Sequence, residues 1–331
     1  MRAFARIATV MAVLAAVIGV SVGVGESNVT IRVGVMADMV TSYIPPVGRE
    51  LGIFDRYGLD VRDQTFSAGI NTIDALAFGQ LDLGQAADFA VLNRIGTTGK
   101  SDLRIFTRFA KSLPDSQRFF VKDDAVKSPA DLANKSITLR KGSVDEFWVA
   151  QLLEQNGVAP KSVRLLPVSS YQEGVALVQT GKATGMWAAG KAVGLLRETP
   201  GVRQIADLAT INAPTITLLL STQKFLDENK EAVTNYIKAA DEILRYIADH
   251  PEETAEIVNK AINAPKDQVL VNIKIYDIGI GFSQEDLDAL NGINKWAYDS
   301  GLIKKAYQVR DYVDTDALKG AFPDRVTYKQ D

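Results

Sequence analysis

Residues 59–84 read LDVRDQTFSAGINTIDALAFGQLDLG, and the order of residue types in that stretch decides the fold class. Leu59-Asp60-Val61-Arg62 opens a strand that runs to Phe66, and Ser67-Ala68-Gly69 forms a loop. Asn71 to Phe78 is predicted helix, Gly79 stops it, and Leu81-Asp82-Leu83-Gly84 is a short buried strand. The same order returns farther along. Ile137-Thr138-Leu139 is a strand, Gly142-Ser143-Val144 a turn, and Asp145 to Gln155 a helix closed by Asn156-Gly157. Val163 to Val168 forms the next strand, with Ser169-Ser170-Tyr171 as its loop. A shift of 102 residues lays Phe66-Ser67 on Val168-Ser169, Leu76 on Val178, Gly79 on Gly181 and Asp82 on Thr184. Two strand–loop–helix–Gly–strand units of matched length predict two similar α/β lobes built on open parallel sheets.

Upstream of the first unit, Thr30 to Met36 is a strand, Ala37-Asp38-Met39-Val40 a loop, and Pro46 to Leu51 a helix ended by Gly52. Downstream, one apolar strand, Ile216 to Leu220, precedes a mostly helical tail. Asn229 leads into a long helix ending near His250, Pro251 opens another, and Ser283 precedes a first turn holding Glu285 and Asp286. The chain has no low-complexity linker, so the segments joining the lobes act as a hinge. The expected division is a leader at 1–25, a first lobe at 26–122, a second at 123–215, and a return to the first lobe with a helical tail at 216–331.

Composition narrows the chemistry. The 331 residues contain no cysteine and one histidine, with 23% charged side chains and a net charge of −3. Thiolate metal sites, disulfides, thiol nucleophiles and lipid-modified cysteines are excluded. A serine–histidine mechanism would depend on His250 alone. The mild acidity gives no electrostatic footprint for nucleic acid.

Arg2 and Arg6 precede the uncharged run from Ile7 to Gly25, with small residues at Ser21, Gly23 and Gly25. This is the pattern of a secretory signal, with cleavage expected after Gly25. An uncleaved anchor over residues 7–25 is the competing reading, since 19 uncharged residues approach a spanning length.

Three groups of motifs then converge. The first lobe carries Gly52-Ile53-Phe54-Asp55-Arg56-Tyr57-Gly58-Leu59-Asp60-Val61 and Ala75-Leu76-Ala77-Phe78-Gly79-Gln80-Leu81-Asp82-Leu83-Gly84. The second carries Lys127-Ser128-Pro129-Ala130-Asp131-Leu132 and Lys141-Gly142-Ser143, and the tail Ser300-Gly301-Leu302-Ile303. In order and spacing the chain resembles the periplasmic substrate-binding proteins of ABC importers, of the nitrate/sulfonate/taurine type. The resemblance implies the type II periplasmic-binding fold: two lobes, a cleft between them, and hinge closure on a small molecule. It further implies no cofactor and no catalysis, ABC permease subunits as partners, a monomeric receptor, and a sulfonate or related nitrogen- or sulfur-containing ligand. An extracytoplasmic sensing module anchored by residues 7–25 is the alternative. The pyrimidine-precursor synthases of the same fold resemble suicide enzymes that need an internal histidine and a cysteine-rich segment, which this composition cannot supply.

Ligands of open α/β sheets bind beyond the carboxyl ends of the strands. The residues expected there are Asp38, Ser67, Gly69, Asp88, Gly142, Ser143, Ser169 and Trp187. Gly142 and Ser143 could offer backbone N–H groups ahead of a helix, with Ser143 and Glu146 also forming a capping box. Asp38 and Asp88 would attract an amine, and Trp187 could stack on the ligand. Strand alternation allows at most one of Arg140 and Lys141 to point inward, a solvated surface charge being the default. Phe147 and Trp148 read as core. Two positions depart from the family pattern: Thr184 where an acid is usual, and Ala189-Gly190-Lys191 in place of Trp-Glu-Pro.

Overall fold

The predicted first strand and the 59–66 segment lie side by side. Strand β1 (Val29–Met36) pairs in parallel with β2 (Leu59–Phe66) along its whole length, from Val29 opposite Leu59 to Met36 opposite Phe66. The computed structural model describes residues 28–37, 39–99 and 101–329; the proposed leader and Asp38 lie outside the described residues. Gly69–Ala77 then forms a helix. The expected strand at Leu81–Gly84 begins three residues later, as β3 (Gly84–Ala87). The reason lies in Asp82, whose carboxylate is turned to β1 and accepts the Arg32 N–H (2.8 Å) and Nε–H (3.0 Å). A single parallel bridge, Val33 to Leu83, carries the sheet across this point.

The remaining strands are β4 (Leu103–Ser112), β5 (Arg118–Val121), β6 (Ser136–Leu139), β7 (Arg164–Pro167), β8 (Gly185–Ala188), β9 (Arg203–Asp207), β10 (Ile216–Thr222) and β11 (Tyr276–Gly281). They form a sheet in each lobe. The first lobe has the order β11-β4-β10-β3 beside the β1–β2 pair, and the second has β7-β6-β8-β5-β9. The expectation of parallel sheets needs correction. β10 is antiparallel to both β3 and β4, and β5 is antiparallel to β8 and β9. A chain that leaves one sheet and returns to fill a gap in it comes back running the other way.

The chain crosses between the sheets after Ser112 and again before Ile216. Because β5 pairs in the second sheet, residues 118–121 belong with that sheet, ahead of the expected 122/123 boundary. The two crossing segments are tied to each other: Ser112 N–H donates to the Thr215 carbonyl (2.8 Å), and Leu208 N–H to that of Pro114 (3.0 Å).

Helix Val144–Gln155 belongs to the second lobe but leans on the first. Its Phe147 ring stacks on Phe89 at 5.8 Å and meets Trp296 edge-on at 4.9 Å. Phe89 opens helix Asp88–Thr98, and Trp296 lies on helix Gln284–Asp299, which starts on a capping box of Ser283 and Asp286. The long helix Lys230–Asp249 buries Val233, Tyr236, Ile237, Ile243, Leu244 and Ile247 against the first lobe, the apolar stripe of a surface helix.

Gly185 shows how tightly the second sheet is built. A Cβ there would fall 2.6 Å from the Phe120 carbonyl oxygen, a backbone atom that cannot move without breaking the β5–β8 ladder. Gly185→Ala should lower stability by about 1–3 kcal/mol, as an overpacked core position does. A urea midpoint equal to wild type would refute this account of the sheet.

Candidate functional site

The carboxyl ends of β1, β2 and β3 face those of β6 and β7 across a cavity of about 90 Å³. One water-sized space needs roughly 10–15 Å³ on this measure, so the cavity holds a molecule of only several heavy atoms. Met36, Ala37 and Met39 line it from the end of β1, and Ser67, Ala68 and Gly69 from the loop after β2. Ala87 and Ala90 line it at the start of helix Asp88–Thr98. The second lobe contributes Arg140, Ser143, Val144, Trp148, Tyr171, Gln172 and Ala189. The crossing segments and the strands they join supply Ser112, Gln117, Thr215 and Thr217.

Arg140 organises the rim. Its Nε and Nη2 donate to the two carboxylate oxygens of Asp145 at 2.8 and 2.7 Å, a bidentate pair. Nη1 reaches across the cleft to the Ser67 carbonyl at 3.1 Å. The guanidinium carbon sits 3.8 Å from the centre of the Tyr171 ring, so its face is covered as well. Tyr171 O–H donates to Asp145 at 3.3 Å, and burial raises its pKa well above the usual phenol value. Burial works against the charge on Arg140, but the Asp145 carboxylate more than offsets it and raises the pKa. Only 11% of the Arg140 side chain and 3% of the Asp145 side chain are exposed. Arg140 was expected to follow strand alternation. β6 ends at Leu139, so alternation does not reach it; the acid five residues on fixes its direction instead.

A second bridge joins the lobes beside the first. Ser67 Oγ–H donates to the Ser169 carbonyl at 3.4 Å. These are the two serines that the 102-residue shift superposes.

Ser67, Gly69 and Ser143 thus lie at the cavity, while other expected site residues lie elsewhere. Ser143 caps its helix through Asp145 N–H and donates to the Arg140 carbonyl at 2.7 Å. Glu146 does not close a capping box on Ser143; its carboxylate takes the Gly142 N–H at 3.0 Å. The Ser143 N–H is spent on the Arg140 carbonyl, so neither expected anion donor is open. Ser169 meets Ser67 through its backbone, and its hydroxyl is held by Glu173 at 2.8 Å. Ser170, not Ser169, caps the next helix.

Asp88 and Trp187 are corrected outright. Asp88 is buried behind the lining, its carboxylate accepting Phe89 N–H (2.7 Å) and Ile216 N–H (3.0 Å), which pins the start of β10. Trp187 is buried in the second sheet between Phe119 (5.6 Å) and Trp148 (5.7 Å). Trp148, read as core, is the tryptophan that reaches the cavity, and its Nε1–H donates to Thr215 Oγ1 at 3.0 Å. The departure at Thr184 is structural. Thr184 Oγ1 accepts the Ser136 N–H (3.4 Å) as Asp82 accepts that of Arg32 in the other lobe.

These features fit what comparison finds. A family model described as NMT1/THI5 like matches residues 44–254. The chain belongs to that family. A Brucella abortus protein named only as a binding protein is 24% identical over 304 residues, spanning 87% of this chain and 91% of its own. Among solved structures, the alkanesulfonate-binding protein SsuA of Xanthomonas axonopodis pv. citri, bound to MOPS, superposes with a TM-score of 0.75 at 17% identity, covering 87% of this chain and 99% of that one. The periplasmic nitrate-binding protein NrtA of Synechocystis PCC 6803 gives 0.70 at 15% identity, over 89% and 88%. The fold is that of the periplasmic binding proteins.

Burial of Asp88 moves its pKa from 3.8 to about 7 despite the two N–H donors. With the folded-state value above the unfolded one, the folded state holds the extra proton between those limits. Stability from this group is then fully present below pH 3.8 and falls by at most roughly 4 kcal/mol as pH rises through 7. Asp88→Asn should therefore lose less stability than wild type between pH 4 and pH 8. Parallel urea midpoints for the two proteins across that range would rule it out.

Proposed function

We propose that this chain is a solute-binding receptor that closes its two lobes on a small organic molecule and delivers it to an ABC transporter permease. The observation that carries the reading is the pair of bridges across the cleft, Arg140 to Ser67 and Ser67 to Ser169, over an enclosed cavity. Contacts made only when the lobes meet are what allow a ligand to bias an open–closed equilibrium. The two solved structures named above are of an alkanesulfonate-binding and a nitrate-binding protein, which supports the same kind of role here. The ligand class suggested by the resemblance is a sulfonate or a related nitrogen- or sulfur-containing compound.

Binding rather than turnover accounts for the lining. Its hydroxyls, Ser67, Ser112, Ser143, Thr215 and Thr217, have no histidine among them. The single His250 follows helix Lys230–Asp249, where its ring stacks on Tyr246 at 4.5 Å. We place the working protein in the periplasm, exported by the leader at 1–25. Among the described residues no helix is long and apolar enough to cross a membrane.

Native mass spectrometry of protein purified from its source should show a small molecule retained by the folded chain. Ala87→Leu puts a branched side chain into the cavity wall and should abolish that retention with little change in circular dichroism. Retention undiminished in the variant would move the binding site elsewhere.

A further inference from the structure

We infer that the cavity selects a compact, uncharged, hydrogen-bonding solute rather than an anion such as a sulfonate, a narrowing that rests on the receptor reading above. Arg140 is the only cationic side chain among the described lining residues, and the bidentate Asp145 carboxylate already balances its charge. Nε and Nη2 are paired with Asp145, Nη1 with the Ser67 carbonyl, and the ring of Tyr171 covers one face. An entering anion would find no uncompensated positive side chain unless it displaced a carboxylate whose side chain is 3% exposed, and burying it without a counter-charge is costly.

The helix starts around the cavity point the same way. Helix Val144–Gln155 has Asp145 and Glu146 in its first turn, so its positive end is already balanced, and at the start of helix Asp88–Thr98 the Phe89 N–H is taken by the Asp88 carboxyl. Helix Gly69–Ala77 is the exception: with no acid in its first turn and no side-chain cap, its N–H groups suit a carbonyl, sulfonyl or ring-nitrogen acceptor, and its positive end does not itself oppose an anion.

What the cavity does offer is neutral. Ser112 and Thr217 line it with side chains that have no hydrogen-bond partner among the described residues, although both are at least 95% buried. Thr215 accepts from Trp148 and keeps its own O–H proton to donate. Opposite these hydroxyls, Met36, Met39 and Trp148 present polarisable apolar surface. A polar end on the hydroxyls and an apolar body on the thioethers and indole describes an amide, sulfonamide, sulfone or small heterocycle.

The test is a set of charge-matched pairs offered to the purified protein: ethanesulfonamide against ethanesulfonate, benzamide against benzoate, and nicotinamide against nicotinate. Dissociation constants come from calorimetry at two salt concentrations. The uncharged member of at least one pair should bind ten-fold or more tightly than its acid, with no salt dependence. An acid that binds equally or more tightly overturns the inference and leaves the receptor reading standing. If no member of any pair binds, both fail together. Asp145→Asn supplies the complementary measurement, since it frees the guanidinium at nearly constant side-chain volume. Ethanesulfonate should then gain at least ten-fold in affinity, and no gain in the folded variant would contradict the role assigned to Asp145. Should that variant not fold, the wild-type pairs decide alone.

Discussion

A buried arginine whose charge is balanced before any ligand arrives links the two lobes. Arg140 takes its charge balance from Asp145 within its own lobe and gives an Nη1 N–H to a carbonyl of the other. Had the guanidinium been left half-satisfied, closing the cleft would bury an uncompensated charge, which costs several kcal/mol. The bidentate pairing makes closure a matter of exchanging one neutral-acceptor hydrogen bond with water for another with Ser67. Small free-energy differences of that kind are what a solute of several heavy atoms can tip.

Around that pair the molecule is built twice. Ser67 and Ser169 occupy matching places and touch across the cleft. Asp82 and Thr184 also match, and each uses a side-chain oxygen to hold the N–H of the neighbouring strand. A carboxylate and a hydroxyl differ in charge, yet both accept a backbone proton at the same point, so the substitution leaves the lobe's geometry intact. Asp82 additionally binds the Arg32 guanidinium, which Ser136 cannot require. The duplicated parts are those that build the lobes. The parts that touch the cavity have diverged.

Much of this was legible in the residue order. β2 falls on the strand expected at 59–66, the helix expected at 145–155 starts one residue early, and the two lobes follow from the repeat. Sheet direction was not legible, because antiparallel insertion of β10 depends on where the chain re-enters rather than on any local pattern. The site was read half correctly for a similar reason. Loop serines and glycines point to strand ends, which chain order reveals. Whether Asp88 faces a ligand or two backbone N–H groups depends on Ile216, 128 residues away. Trp148 and Trp187 exchanged their expected places because helix Val144–Gln155 leans over the cleft, with the second sheet beneath it. Ser112, Thr215 and Thr217 escaped notice altogether. They belong to the hinge, and nothing in their composition distinguishes them from ordinary strand-end hydroxyls.

That hinge placement has a kinetic meaning. Ser112 ends β4 and Thr215 lies on the returning segment, bonded to each other through the backbone where the chain passes between the sheets, which is where an axis for lobe rotation would lie. Rotation displaces points near an axis least and distant points most. If the chain works as the receptor proposed above, the hydroxyl floor would be available to an arriving solute at every degree of opening and would govern capture. On the same reading, the Arg140–Ser67 and Ser67–Ser169 contacts at the rim would form only as the lobes meet, and would govern how long the solute stays. Changes at the floor should be felt in the association rate and changes at the rim in the dissociation rate, two quantities that evolution could tune separately in one receptor.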